Sequence, residues 1–175
     1  CTAETAAGPP GPRAVFSSNP LRSLDWLLSL WATEIQPKVS GAELHLFTGS
    51  ITYGAVGAGK VTSMDRVIDQ AKAMSDKGVV FRGAVSKEKL IEEFCLARCM
   101  LYRGDINETF CLAVGEAQAM GVPAVVQDRG AVIERVIDGE TGFIRSTDIG
   151  FAAAAVQLLK DDALWQRQHD KAIKL

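Results

Sequence analysis

The stretch Cys99-Met100-Leu101-Tyr102-Arg103-Gly104-Asp105-Ile106-Asn107-Glu108-Thr109-Phe110-Cys111-Leu112-Ala113-Val114-Gly115-Glu116-Ala117-Gln118-Ala119-Met120-Gly121-Val122-Pro123-Ala124-Val125-Val126-Gln127 contains the unit that decides the fold. Cys99–Tyr102 and Ala124–Gln127 are short apolar runs with the length and composition of buried strands. Between them Phe110, Ala113, Val114 and Ala117 recur at i, i+3, i+4 and i+7, which predicts a helix over Thr109–Met120. Gly121 supplies a C-terminal stop, and Pro123 cannot continue a helix. Strand, helix and strand in this order make one crossover unit of a parallel sheet.

The pattern extends in both directions. Ala14–Ser17, Glu43–Thr48 and Val79–Arg82 read as further strands, and Leu21–Val39, Val61–Lys77, Lys87–Ala97, Phe151–Lys160 and Asp162–Lys174 as helices. Such alternation predicts an α/β fold: a Rossmann-like parallel sheet with helices on both faces, a three-layer sandwich with right-handed crossovers. Ligands of such sheets sit beyond the carboxyl ends of the strands. The loops after Ser17, Thr48, Arg82, Tyr102 and Gln127 are therefore the ones to search. Residues 1–13, with three prolines and no periodicity, read as a linker or cut edge. Residues 14–175 read as one domain.

Composition narrows the function. The chain of 175 residues is 47% hydrophobic and 23% charged, with a net charge of -2 and no basic stripe of the kind nucleic acid requires. The longest apolar runs fall short of the roughly 20 residues that span a bilayer. A cytoplasmic location is the expectation, for a soluble domain or for one excised from a larger protein. Cys95 and Cys99 lack a second Cys/His pair, and His45 and His169 lack ligand partners at metal spacing, so no metal site is expected. His45 is expected in the sheet and His169 on the surface. Trp26, Trp31 and Trp165 read as packing residues.

A helix beginning at Thr109 would aim the free N–H groups of Phe110, Cys111 and Leu112 at the ligand edge, where the helix dipole adds to them and favours a diphosphate. Glu116 would then lie about two turns into the helix, within reach of a ribose diol. Glu108 would lie just outside it, within reach of a sugar hydroxyl. Spacing alone equally allows Glu108 to serve only the helix dipole and Glu116 to face solvent. Gly54-Ala-Val-Gly-Ala-Gly59-Lys60 satisfies part of a phosphate-binding P-loop, but Val61 stands where that motif needs Ser or Thr, and no partner strand ends in Asp.

Glu108 and Glu116, with seven residues between them, resemble the E-x7-E motif of retaining GT-B glycosyltransferases, in particular glycosyltransferase family four (group one). Asn107-Glu108-Thr109-Phe110-Cys111 and the run from Glu116 to Val126 resemble the flanking family pattern. Gly130-Ala131 with Glu134, and Ile137 to Phe143, resemble its later segments. The resemblance runs from Ala14 to about Leu159.

It implies a C-terminal, donor-binding domain of an enzyme that transfers a sugar from a nucleoside diphosphate sugar to an acceptor hydroxyl with retained configuration, with no cofactor or metal. It implies that Glu116 holds the ribose and that Glu108, the catalytic candidate, lies at the donor sugar. Thr109, Phe110, Cys111 and Leu112 would receive the diphosphate, and the loop carrying Gly83 and Val85 would lie beside the base. Arg22 fits the second of two basic positions that the family places after its first strand. Ser17 or Ser18 stands at the first, and Ser23 where glycine is common. The partner implied is an N-terminal acceptor-binding domain of the same parent chain, without which the fragment is expected to be inactive. A non-catalytic nucleotide-sugar-binding module, or a piece of a GT-B-fold epimerase, is the alternative.

Overall fold

Six short strands pair side by side, all parallel, in the order β3-β2-β1-β4-β5-β6. They are β1 (Arg13–Phe16), β2 (Glu43–Leu46), β3 (Val79–Phe81), β4 (Cys99–Tyr102), β5 (Ala124–Val126) and β6 (Gly142–Ile144). This computed structural model describes residues 8–49 and 61–175; the P-loop-like stretch Gly54–Lys60 lies outside the described residues. Among the described residues six α-helices flank the strands: α1 (Leu24–Leu30), α2 (Val61–Lys72), α3 (Lys87–Phe94), α4 (Leu112–Ala119), α5 (Asp148–Lys160) and α6 (Asp162–Ala172). The predicted Rossmann-like sandwich is the observed one.

The core sits on the sheet. Val15, Leu44, Leu46, Met100, Leu101, Val125 and Val126 are fully buried and pack against Leu24, Leu28, Trp31, Phe151 and Leu158 from the helices. Burying each large apolar side chain contributes about 1.5–3 kcal/mol, which is why these runs lack the polar alternation of a half-exposed sheet. Trp31 donates its indole N–H to the Lys77 carbonyl at 2.8 Å, and Trp165 donates to the Arg98 carbonyl at 2.9 Å, so both rings are buried with their polar atom matched.

Three expectations are corrected. The first helix ends at Leu30 and continues as a π turn, Trp31–Ile35, and a 3-10 turn, Gln36–Lys38. Pro37 has no N–H for the carbonyl four residues back, so the regular ladder cannot run through it. The sixth strand, β6, is not among the strands the sequence predicts. It opens at Gly142, where a Cβ would collide with the Ala124 backbone, and glycine there reads as a turn rather than a strand. His169 is half-buried instead of exposed. Its ring stacks on Trp165 with centroids 4.7 Å apart, and Nδ1 lies 2.7 Å from the Gly121 carbonyl oxygen.

Candidate functional site at the β1–β4 switch point

Strand order reverses direction between β1 and β4. β1 continues outward to β2 and β3, and β4 to β5 and β6, so the two crossovers diverge and leave a crevice at the carboxyl ends of β1 and β4. A cleft of about 790 Å³ opens there. Its walls come from the loop after β1, with Ser17, Ser18, Asn19 and Arg22, and from the segment joining β4 to α4, with Glu108, Thr109, Phe110, Cys111 and Leu112. Glu116 and Tyr102 also line it.

The β1 loop is a compact turn. The Asn19 side chain accepts from the Leu21 N–H at 2.8 Å, the Asn19 carbonyl accepts from the Arg22 N–H at 2.9 Å, and Thr48 donates its hydroxyl to the Ser18 carbonyl at 2.5 Å. Ser23 then adopts a left-handed conformation, φ 60°, before α1 begins. That backbone explains why glycine suits this position. The turn delivers Arg22 to the opposite wall, where Nη1 lies 3.3 Å from Asp105 Oδ1 and 3.4 Å from Glu108 Oε2.

The opposite wall is built by the loop Asp105–Glu108. Asp105 accepts from the Asn107 N–H through its side chain and from the Glu108 N–H through its carbonyl. The Glu108 carbonyl accepts from the Ala131 N–H at 3.0 Å. Gly130, with φ 56°, lies so close under this loop that a Cβ would run into the Asp105 carbonyl oxygen. The loop is thus fixed at both ends, and it presents the Glu108 carboxylate to Arg22 and to the Tyr102 hydroxyl, which donates to Oε2 at 2.7 Å.

The helix that follows begins at Leu112, three residues later than predicted. Cys111 adopts a left-handed conformation, φ 55°, and turns the chain into the helix, so Thr109 and Phe110 stay in the loop. The first backbone hydrogen bond of α4 joins the Gly115 N–H to the Cys111 carbonyl, and the N–H groups of Leu112 and Ala113 have no backbone partner among the described residues. Those two groups are the free donors in the first turn of the helix. Phe110 is about half exposed, and the Arg135 guanidinium stacks on its ring at 3.9 Å, so it does not share the buried face of Val114 and Ala117. Cys111 is buried, and that burial pushes its thiol up to about 11, so it is a neutral packing group.

The shift of the helix start also moves Glu116, which lies about one turn into α4 instead of two. Its Oε1 lies 2.8 Å from Nζ of Lys87, the first residue of α3. Ser86 caps that helix by accepting from the Lys89 N–H. Gly83, with φ 74°, and Val85 do not line the cleft itself; Lys87 ties their loop to its edge. Three contributors escaped the sequence reading: Tyr102 inside a strand, Asp105 inside a loop and Lys87 at a distant helix start. Only the loop chemistry of Asp105, an Asp two residues before an N–H it can cap, carried a local signal.

Among the described residues no group of three or more His, Cys, Asp or Glu side chains is arranged to hold a metal ion, and no helix is long and apolar enough to cross a membrane. The chain is 31% identical to a GDP-mannose-dependent alpha-mannosyltransferase of Corynebacterium glutamicum over 103 residues, which cover 53% of this chain and 24% of that protein. Among solved structures, TarM superposes with a TM-score of 0.74 at 18% identity, covering 95% of this chain and 32% of TarM. Anabaena Alr3699/HepE, solved in complex with UDP and glucose, superposes with a TM-score of 0.73 at 15% identity, covering 94% of this chain and 43% of its own. The chain therefore spans about a quarter to two-fifths of these proteins and has the fold of a GT-B glycosyltransferase domain. The sequence pattern of the glycosyl transferases group 1 matches residues 14–161, nearly the whole fold from β1 through α5, and the chain belongs to that family.

Proposed function

We propose that this chain is the donor-binding domain of a retaining glycosyltransferase, a cytoplasmic enzyme that moves a sugar from a nucleoside diphosphate sugar to an acceptor hydroxyl. The observation that carries the reading is the joint placement of Glu108, Glu116, Arg22 and the α4 helix start around one cleft at the switch point. A GDP-mannose-dependent relative and a structural neighbour holding UDP and glucose support a nucleoside diphosphate sugar as the ligand class.

In this reading the diphosphate lies at the start of α4, against the Leu112 and Ala113 N–H groups. Thr109, Phe110 and Cys111 shape the loop beside it, and Arg22 supplies the positive charge. As the anomeric C–O bond breaks, negative charge builds on the departing phosphate oxygen. Donors already oriented there stabilise it without reorganising, and no metal ion or other cofactor is needed for that task. Glu116 receives the ribose diol, Glu108 accepts from a hydroxyl of the donor sugar, and the loop with Gly83 and Val85 flanks the base.

Residues 14–175 serve as this one domain and residues 1–13 as its leading linker. An N-terminal domain of the parent chain supplies the acceptor wall. The relatives are much longer than this chain, which supports that division. The chain alone is then a binding module without transfer activity, because transfer requires acceptor and donor held together in a closed, water-excluding cleft.

The test is a calorimetric titration of the chain with UDP, GDP and ADP, the matching monophosphates and the matching sugars. At least one diphosphate should bind about tenfold or more tightly than its monophosphate, because the helix start recognises the second phosphate. Equal affinity for monophosphate and diphosphate across all three bases would contradict the reading.

A further inference from the structure

The geometry points to Tyr102 as the positioning residue of the donor-sugar subsite: its buried hydroxyl fixes the Glu108 carboxylate so that Arg22 can turn to the diphosphate. The inference rests on the proposed reading of Glu108 as the sugar-binding carboxylate.

Glu108 Oε2 has two partners among the described residues, the Tyr102 hydroxyl at 2.7 Å and Arg22 Nη1 at 3.4 Å. They differ in what they can do when an anion arrives. Arg22 stands on a surface turn with its side chain one-third exposed, and it divides one nitrogen between two carboxylates, Asp105 and Glu108. Both contacts are long for charge-assisted hydrogen bonds, so a diphosphate beside the start of α4 competes well for the guanidinium. Tyr102 cannot move in the same way. It is the last residue of β4, paired in the sheet with Val126 of β5, and its ring is fully buried 6.1 Å from Phe16.

The chemistry of the phenol agrees with this division. Burial, with the neighbouring Glu108 carboxylate as the next cause, holds the Tyr102 hydroxyl well above the ordinary tyrosine range. It remains an O–H donor, and a short O–H···O⁻ bond from a fixed strand is a strong restraint on a carboxylate. Only Oε2 is engaged; Oε1 of Glu108 has no hydrogen-bond partner among the described residues, and Glu108 lines the cleft. One oxygen is therefore held by the protein and the other remains to accept from a sugar hydroxyl. Without the phenol, loss of Arg22 to the diphosphate would release the carboxylate at the moment the sugar arrives.

The experiment measures affinities of the chain for UDP against UDP-glucose and for GDP against GDP-mannose, in the native sequence and in Tyr102→Phe. Phe keeps the ring and removes only the hydroxyl, and thermal melting verifies that the fold is retained. Tyr102→Phe should leave diphosphate affinity within about twofold and lower the affinity for the matching nucleotide sugar about tenfold. The double variant Tyr102→Phe/Glu108→Ala should lose no more of the nucleotide-sugar preference over diphosphate than Glu108→Ala alone, because the effect of the phenol on the sugar runs through that carboxylate. Equal losses for diphosphate and nucleotide sugar would mean that Tyr102 serves packing alone and would overturn the inference, as would additive losses in the double variant. A native chain that binds a diphosphate well but gains nothing from any attached sugar would instead overturn the reading of Glu108 itself.

Discussion

Lys87 and Glu116 form an ion pair, Nζ to Oε1 at 2.8 Å, that joins the first turn of α3 to α4 at the edge of the cleft. The ammonium raises no barrier to the fold, since both side chains reach solvent, but it occupies an oxygen that the proposed reading gives to ribose. The same contact holds the Lys87 ammonium above its ordinary range, first through the hydrogen bond to Glu116.

Lys87→Ala should therefore strengthen nucleoside diphosphate binding by about two- to fivefold, the scale of an exposed ion pair that no longer has to open. Titration calorimetry on both proteins at equal ionic strength reads this directly. Weakened binding would show instead that the ammonium contributes to holding the nucleotide.

Ser23 predicts a gain in stability. Its left-handed backbone costs a non-glycine residue about 1–2 kcal/mol, and its side chain makes no capping hydrogen bond to α1. Ser23→Gly removes the strain while adding unfolded-chain entropy, for a net gain of about 0.5–1 kcal/mol. A urea melt should move to a higher midpoint with unchanged slope; a lower midpoint would refute the strain argument.

His45 predicts how stability depends on pH. It is buried in β2 with Nε2 2.8 Å from Glu43 Oε2, while Nδ1 accepts from Arg82 Nε at 3.3 Å. This arrangement fits the neutral ring, because a proton on Nδ1 would face the Arg82 guanidinium. Burial lowers its pKa from 6.5, against the opposing pull of Glu43. The unfolded chain thus binds the proton more readily, so the stabilisation is complete above about pH 6.5 and is lost as pH falls below it. Urea midpoints at pH 7.5 and pH 5.5 should differ more for the native chain than for His45→Gln. Equal differences would remove His45 as the cause.

The sequence was most legible where burial imposed a pattern. All of β1 to β5 were readable because a parallel sheet covered on both faces demands continuous apolar runs. The Glu108–Glu116 spacing was readable because both residues flank one helix start. The start itself lies later than the sequence predicts because Thr109 and Phe110 have the composition of a first turn, and only the left-handed backbone at Cys111 keeps them out. Tyr102 and Lys87 are not legible in the sequence, and Asp105 is legible only as a loop residue that caps the Asn107 N–H, not as a partner of Arg22. Each meets the site through a partner distant in sequence or hidden in a loop, as Lys87 meets Glu116 and Asp105 meets Arg22. Local spacing carries no trace of such contacts.

The division of labour between the two glutamates is the centre of the account, and one comparison tests it most directly. Glu108→Ala and Glu116→Ala are each titrated with a nucleoside diphosphate and with the same nucleotide carrying its sugar. Glu116→Ala should weaken both ligands alike, by about 1.5–3 kcal/mol, because the ribose is common to them. Glu108→Ala should leave the free diphosphate nearly unchanged and weaken only the nucleotide sugar. Equal losses of free diphosphate in both variants would contradict the assignment of ribose to Glu116 and sugar to Glu108.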